Sequence, residues 1–305
     1  YALAAVQEEV IMREVAIVSP VRTAVGNFGG GMRDIPAAEL GSIVIKEVLS
    51  RTGLDPAEVD DVILGHGYPS GENPAVGRLV ALKAGLPIEV PGYQLDRRCS
   101  SGLQSILNAA MLVQTGNADV VIAGGAEAML NDGSVAAWQA VGVIAKEHAD
   151  GAGASCRPFE LQRTGLVLGE GAATLILESE QRATARGADL LAEIIGFGAS
   201  SDAHKLTEPS VDGQERAIRN ALEDAGLPLD VVGYINAHAT GTPAGDPVEI
   251  EAIERAFGAA AQDVAISSTK SMHGHLVGAS GALECGITAL ALHERRIPPT
   301  ANLTL

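Results

Sequence analysis

The chain has 305 residues, 47% of them hydrophobic and 3% aromatic, and carries a formal charge of −17 from 21 basic and 38 acidic side chains. That length and apolar share suffice for one large domain or two of ordinary size, and the acidic excess argues against nucleic acid and anionic membrane surfaces as partners. No stretch approaches the roughly 20 apolar residues of a membrane span, and "YALAAVQEEVIM" carries acids where a signal peptide is basic, so a cytoplasmic protein is expected.

In chain order, strands are expected at "EVAIVS" (14–19), "VDDVILG" (59–65) and "ADVVIAGG" (118–125), with helices at 37–51, 74–84 and 99–115. Residues 130–157 begin with helical character and end in a Gly/Ala-rich loop, which marks them as a connector. A second series follows: an extended segment at 165–179, a helix at 213–225, a strand at 231–237, a helix at 247–257, a strand at 263–269 and a helix at 276–293. This order predicts the α/β class with a mainly parallel sheet. Each series ends in a glycine-bearing helix start, "CSSGLQSI" and "GHLVGASGALE", so two similar halves are expected.

Cys99, Cys156 and Cys285 lie far apart with no C-x-x-C pair, which predicts reduced thiols rather than a disulfide framework or a zinc ribbon. Cys99 stands at a helix start beside Arg97 and Arg98, a setting expected to lower its pKa from about 8.5 toward neutrality and make it a nucleophile. The competing reading is an inert packed thiol. His238, in "INAHATGTPAGDPVEIEAI", falls at the carboxyl end of a strand, where α/β sheets bind ligands; it is either a proton-handling group or a histidine satisfied by loop carbonyls. Asp246 and Pro247 suit the cap and first turn of the next helix. In "SSTKSMHGHLVGASGALE", Lys270 in a buried loop calls for a counter-charge, with Glu284 the candidate, and His275 is better placed than His273 to face a site. These histidines lack accompanying ligands, so no metal site is expected. "GHGYPSG" and "GNFGGG" lack the remaining residues of a dinucleotide or phosphate loop.

One cysteine and two histidines on three strand-to-helix junctions resemble the thiolase superfamily. From "REVAIVSPVRTAVGNFGGGMRDIPAAELG" to "AGGAEAM" (13–129) the chain resembles the N-terminal half of an acetyl-CoA acetyltransferase. From about 133 to 303, "CRPFELQRTGLVLGEGAATLILE", "FGASSDAHKLTEPS", "INAHATGTPAGDPVEIEA" and "RIPPTANL" resemble an elongating β-ketoacyl-acyl-carrier-protein synthase. The seam falls at "GGAEAM", so the chain is read as a hybrid, divided into residues 1–130 and 131–305.

The resemblance implies a five-layered αβαβα fold with two pseudo-repeated βαβαβ halves, paired as a homodimer. It implies Cys99 as the nucleophile, His238 and His275 as the enolate-stabilising pair, Lys270 and Glu284 as their supporting ion pair, and Thr240 and Thr242 as contacts to a pantetheine arm. No cofactor is implied. The partners would be acyl carrier protein or coenzyme A thioesters. Thiolases also use a cysteine in a C-x-G turn as base, whereas Cys285 here falls within an expected helix, so decarboxylative condensation is favoured over thiolase chemistry. An inactive scaffold or partner subunit is the alternative outside enzymes, since in synthases a "GFGG" turn lies beyond "PPTANL" and this chain ends at Leu305.

Overall fold

The computed structural model describes residues 12–71, 73–205 and 207–304. The first half contains β1 (Val15–Arg22), α1 (Ala37–Thr52), β2 (Asp61–Gly65), α2 (Val76–Ala84), β3 (Gly92–Leu95), α3 (Ser101–Gln114), β4 (Val120–Glu127) and α4 (Asp132–Val141). There follow β5 (Gly171–Ser179), α5 (Glu180–Ala185), β6 (Leu190–Glu193), α6 (Val211–Ala225), β7 (Tyr234–Asn236), α7 (Gly245–Phe257), β8 (Ala265–Ser267), α8 (Lys270–His273) and α9 (Ser280–Glu294).

β4 and β5 are buried at every position, because helices cover both faces of the sheet they occupy. Side chains alternate between those faces. Val62, Leu64, Val120, Ile122 and Ile176 meet α1 and α2 on one side, while Ile63, Val121, Ala123, Leu175 and Leu177 meet α3 and α9 on the other. A third core joins Ile253, Ala256 and Phe257 of α7 to Ile218 and Leu222 of α6 and to Ile235 and Ile266 of the β7–β8 pair. The result is five layers: α1/α2, the large sheet, α3/α9, the small sheet and α6/α7.

The large sheet has the order β3-β2-β4-β5-β1-β6 and the small one pairs β7 with β8 in parallel. β1 to β4 run one way and β5 and β6 the other, so the sheet is less uniformly parallel than the element order suggests. The edge strands β3 and β6, four residues each, were not among the expected elements. β5 pairs along its length with β4 and flanks β1 on its other side. The expected division at 130/131 therefore falls between two strands that are neighbours in one sheet.

α3 and α9 cross at their N-terminal ends with backbone nearly touching backbone. A Cβ on Gly102 would lie 2.7 Å from the Ala282 nitrogen, and one on Gly281 would lie 2.6 Å from the Leu103 nitrogen. Only glycine permits this approach, which carries the turn before α3 toward the turn before α9. Gly102→Ala forces backbone apart at a site that cannot relax cheaply. The expected cost is about 1–3 kcal/mol, read in a thermal melt as a midpoint lowered by about 2–10 °C.

Candidate active site

The candidate sulfur, imidazoles and ammonium follow the carboxyl ends of strands, and Glu284 comes from α9. Cys99 follows β3, His238 follows β7, and Lys270 and His275 follow β8. Cys99 occupies a 3₁₀ turn, Arg98–Ser100, leading into α3, and the buried Ser101 stitches that turn. The Ser101 hydroxyl accepts from the Arg97 N–H at 2.8 Å and donates to the Arg98 carbonyl at 2.7 Å. Arg98 is held at φ +50°, an uncommon conformation for a side-chain-bearing residue.

The expected acidification of Cys99 by its arginines is corrected by this geometry. The Arg98 guanidinium is engaged by Asp96, by the Gly67 carbonyl and by the face of Tyr68, 5.2 Å from the ring centroid. Arg97 lines an open cleft of about 470 Å³ between α3 and α6. Burial is the dominant influence and pushes the thiol up, with the Lys270 ammonium the largest effect in the opposite direction.

His275 is buried, and its Nε2 lies 3.0 Å from Cys99 Sγ. On its other side the Val277 N–H donates to Nδ1 at 3.3 Å, and the Ser280 hydroxyl lies 2.8 Å from the same atom. Because a backbone N–H can only donate, Nδ1 must accept, and the ring proton sits on Nε2 facing the sulfur. The His238 ring meets the His275 ring edge-on at 5.3 Å between centroids. Donor atoms of Cys99, His238 and His275 all fall within 4.8 Å of one another. A thiol and two imidazoles could ligate zinc, but here the proton on Nε2 and the nearby Lys270 charge oppose a dication.

Lys270 is fully buried, and its ammonium pairs with Glu284 Oε1 as the sequence predicts. Enclosure first, and then this ammonium, push His238 down to about 3. His238 nevertheless keeps part of its surface open to solvent. His275, more deeply buried, is held well below the ordinary imidazole value by burial and by the neighbouring His238 and Lys270 charges. Both rings are neutral N–H donors at physiological pH. Burial raises the Glu284 carboxyl, and Lys270 counters it. His273 turns away from the sulfur, toward the Gly274 carbonyl and the Thr269 hydroxyl.

Thr240 is buried, its hydroxyl 3.4 Å from that of Thr242. Asp246 acts structurally, as expected, but from inside the first turn of α7: it accepts the N–H groups of Gly241, Thr242 and Phe159. Sequence reasoning passed over Glu249, whose two oxygens accept the N–H groups of His238 and Ala239 at 2.7 Å each and so fix the turn that aims His238. It also passed over the buried pair His66 and Glu127. A carboxylate one helical turn past the cap, or at a strand end below a glycine loop, is the only signal available for either.

Residues 15–154 match the thiolase N-terminal domain model and residues 191–304 match the β-ketoacyl synthase C-terminal domain model. The chain belongs to the thiolase superfamily. Within the superfamily it joins the two branches, and its fold is the superfamily's five-layered one. Nodulation protein E of Rhizobium sp. (strain N33) is 48% identical over 217 residues, which are 71% of this chain and 52% of that protein. The 3-oxoacyl-[acyl-carrier-protein] synthase 2 of Vibrio cholerae serotype O1 (strain ATCC 39315 / El Tor Inaba N16961) is 43% identical over 216 residues, 70% of this chain and 52% of the relative. This superfamily member thus spans about half the length of the curated relatives it matches. The β-ketoacyl synthase of Burkholderia phymatum STM815 superposes with a TM-score of 0.82 at 28% identity, covering 96% of this chain and 89% of that one.

The depressed imidazoles have a stability signature. A histidine neutral in the fold but titrating near 6.5 when unfolded binds more protons unfolded, so its contribution is full above pH 6.5 and is lost as pH falls toward the folded value. The raised carboxyls Glu127, Glu249 and Glu284 act with the opposite sign, so the signature is read by difference. Between pH 7 and pH 5.5, the urea midpoint of wild type should fall further than that of His238→Asn.

Proposed function

We propose that this chain carries out the chemistry of a β-ketoacyl synthase: Claisen condensation of a Cys99-bound acyl group with a malonyl thioester. The observation that carries the reading is the contact between Cys99 Sγ and the protonated Nε2 of His275, with the neutral His238 ring alongside. Cys99 would attack an acyl thioester, forming a new C–S bond and expelling the donor thiolate. A malonyl thioester then loses carbon dioxide, and its enolate oxygen takes hydrogen bonds from the His238 and His275 rings. The resulting carbanion attacks the acyl carbon, the C–C bond forms, and the Cys99 C–S bond breaks to return the thiolate.

Loss of carbon dioxide generates the carbanion without a strong base. The thiolase alternative needs a second thiol at the site, and neither other cysteine supports it. Cys156 Sγ donates to the Lys270 carbonyl at 3.0 Å, while burial pushes Cys285, on α9, up to about 12. The name of the Vibrio cholerae relative favours acyl carrier protein over coenzyme A as the donor. Arg97 at the cleft is the basic landing point for such an acidic carrier; Arg78 is tied to the Val90 and Ile88 carbonyls. Thr240 and Thr242 would line the path of the pantetheine arm. The edge strand β3, with Tyr93 exposed, supports a homodimer that covers the unpaired edge. The free cysteines suit a cytoplasmic setting.

Labelled acetyl and malonyl thioesters test the reading. Wild type should acquire label and release carbon dioxide, Cys99→Ala should acquire none, and His238→Ala or His275→Ala should keep acylation but release carbon dioxide about 10²-fold more slowly. Acetoacetyl formation from acetyl-CoA alone would favour the thiolase; absence of label from any donor would favour the scaffold. Transfer from a carrier protein should weaken between 0.05 and about 0.5 M salt as screening shortens the reach of Arg97, and Arg97→Ala should flatten that dependence.

A further inference from the structure

Glu127, the last residue of β4, is fully buried and takes no part in the chemistry above. Its Oε2 accepts two backbone N–H groups from different parts of the chain, Gly67 at 2.8 Å and Gly278 at 3.1 Å. Each leads to one side of the site. The Gly67 carbonyl receives the guanidinium of Arg98, the residue that precedes Cys99 and is held at φ +50°. Gly278 follows Val277, a β-branched residue held at φ +45°, whose N–H fixes the tautomer of His275. Strain at a β-branched residue persists only where the surroundings impose it, and the Gly278 N–H bond to Glu127 is one of the contacts that hold this turn. The two segments are packed so closely that a Cβ on Gly278 would lie 2.5 Å from the Gly67 nitrogen and 2.6 Å from Glu127 Oε2. Behind the carboxylate, His66 Nδ1 bonds the Ala126 carbonyl at 2.8 Å and lies 3.3 Å from Glu127 Oε1, an oxygen that has no hydrogen-bond partner among the described residues, so the hold of Glu127 on the site runs through Oε2.

We propose that Glu127 is a positioning residue whose single oxygen clamps the Cys99 turn to the His275 turn and thereby sets the contact between sulfur and imidazole. The proposal rests on the reading of Cys99 and His275 as the reacting groups. It requires an acceptor atom at the Oε2 position more than it requires charge, because both partners are backbone N–H donors. Glutamine can supply that acceptor; leucine, of similar shape, cannot.

The test compares Glu127→Gln with Glu127→Leu. Acetylation of Cys99 by acetyl-CoA, followed by intact mass, should lose at least tenfold in kcat in the Leu variant with KM little changed, since small misplacements of reacting groups cost about that much or more. The Gln variant should recover to within about threefold of wild type. Alkylation of Cys99 by iodoacetamide as a function of pH supplies a readout that needs no acyl donor. Glu127, Lys270, Glu284 and the two imidazoles all face the thiol's surroundings, but both variants remove the Glu127 charge equally. A difference between them therefore reports the His275 hydrogen bond, and the inflection should lie higher in Leu than in Gln because that bond favours the thiolate.

A Leu variant that folds with wild-type kcat, or Gln and Leu variants that behave alike in both assays, would overturn the proposal. If neither variant folds, Arg98→Met cuts the same chain of contacts on the surface side, and unchanged acetylation and alkylation in that variant overturn it equally. An inert wild type in the acyl assay, with alkylation still separating Leu from Gln, would sink the condensing reading and leave the clamp standing.

Discussion

One buried ammonium sets the electrostatics of the site. Lys270 has no exposed surface, and such a charge is tolerated only with a partner at contact distance, which Glu284 supplies from α9. With its position fixed, the ammonium acts on every reacting group around it. It disfavours protonation of His238, His273 and His275, and it favours the thiolate of Cys99 against the burial that opposes it. A pair of neutral N–H donors beside a nucleophilic sulfur is what acyl transfer followed by decarboxylation requires, and here the ammonium offsets part of the burial that raises the thiol. The same charge in bulk water would act several-fold more weakly at equal distance.

The turns bearing these groups are held by carboxylates spent on backbone. Asp246 gathers Gly241, Thr242 and Phe159, Glu249 gathers His238 and Ala239, and Glu127 gathers Gly67 and Gly278. Glu127 ends β4, and Asp246 and Glu249 reach back from the start of α7 to the segment that follows β7, where the chain leaves the sheet and its N–H groups lose their ladder partners. A carboxylate satisfies two or three such donors at once. Part of the acid excess of this chain is therefore structural and internal, and surface charge alone does not account for it.

The central elements were legible because their pattern is strong. β4 and β5 read as unbroken apolar runs, His238, Lys270 and His275 stand out as reactive residues beyond apolar strands, and Cys99 stands out by its place at a glycine-bearing helix start. The edge strands β3 and β6 were not, since "GYQL" and "LLAE" are short and half-exposed and carry no period of their own. The thiol's environment was misjudged for a different reason. Arg97 and Arg98 neighbour Cys99 in sequence, but the φ +50° turn swings Arg98 toward Asp96 and Gly67. Glu127 and Glu249 look like ordinary acids until the fold brings distant backbone to them.

The pairing of β4 with β5 joins the two halves of the chain in one sheet. Residues 120–127 fall within the thiolase N-terminal match and residues 171–178 between the two domain matches, and they zip together over eight consecutive registers at the heart of the sheet. Main-chain ladders are indifferent to ancestry, and the side chains projecting from them need only be small or branched apolar ones of matching depth. A seam of this kind asks only for backbone partners and apolar side chains of compatible size, so the half that carries Cys99 and the half that carries the histidines share one continuous sheet without a linker between separate cores.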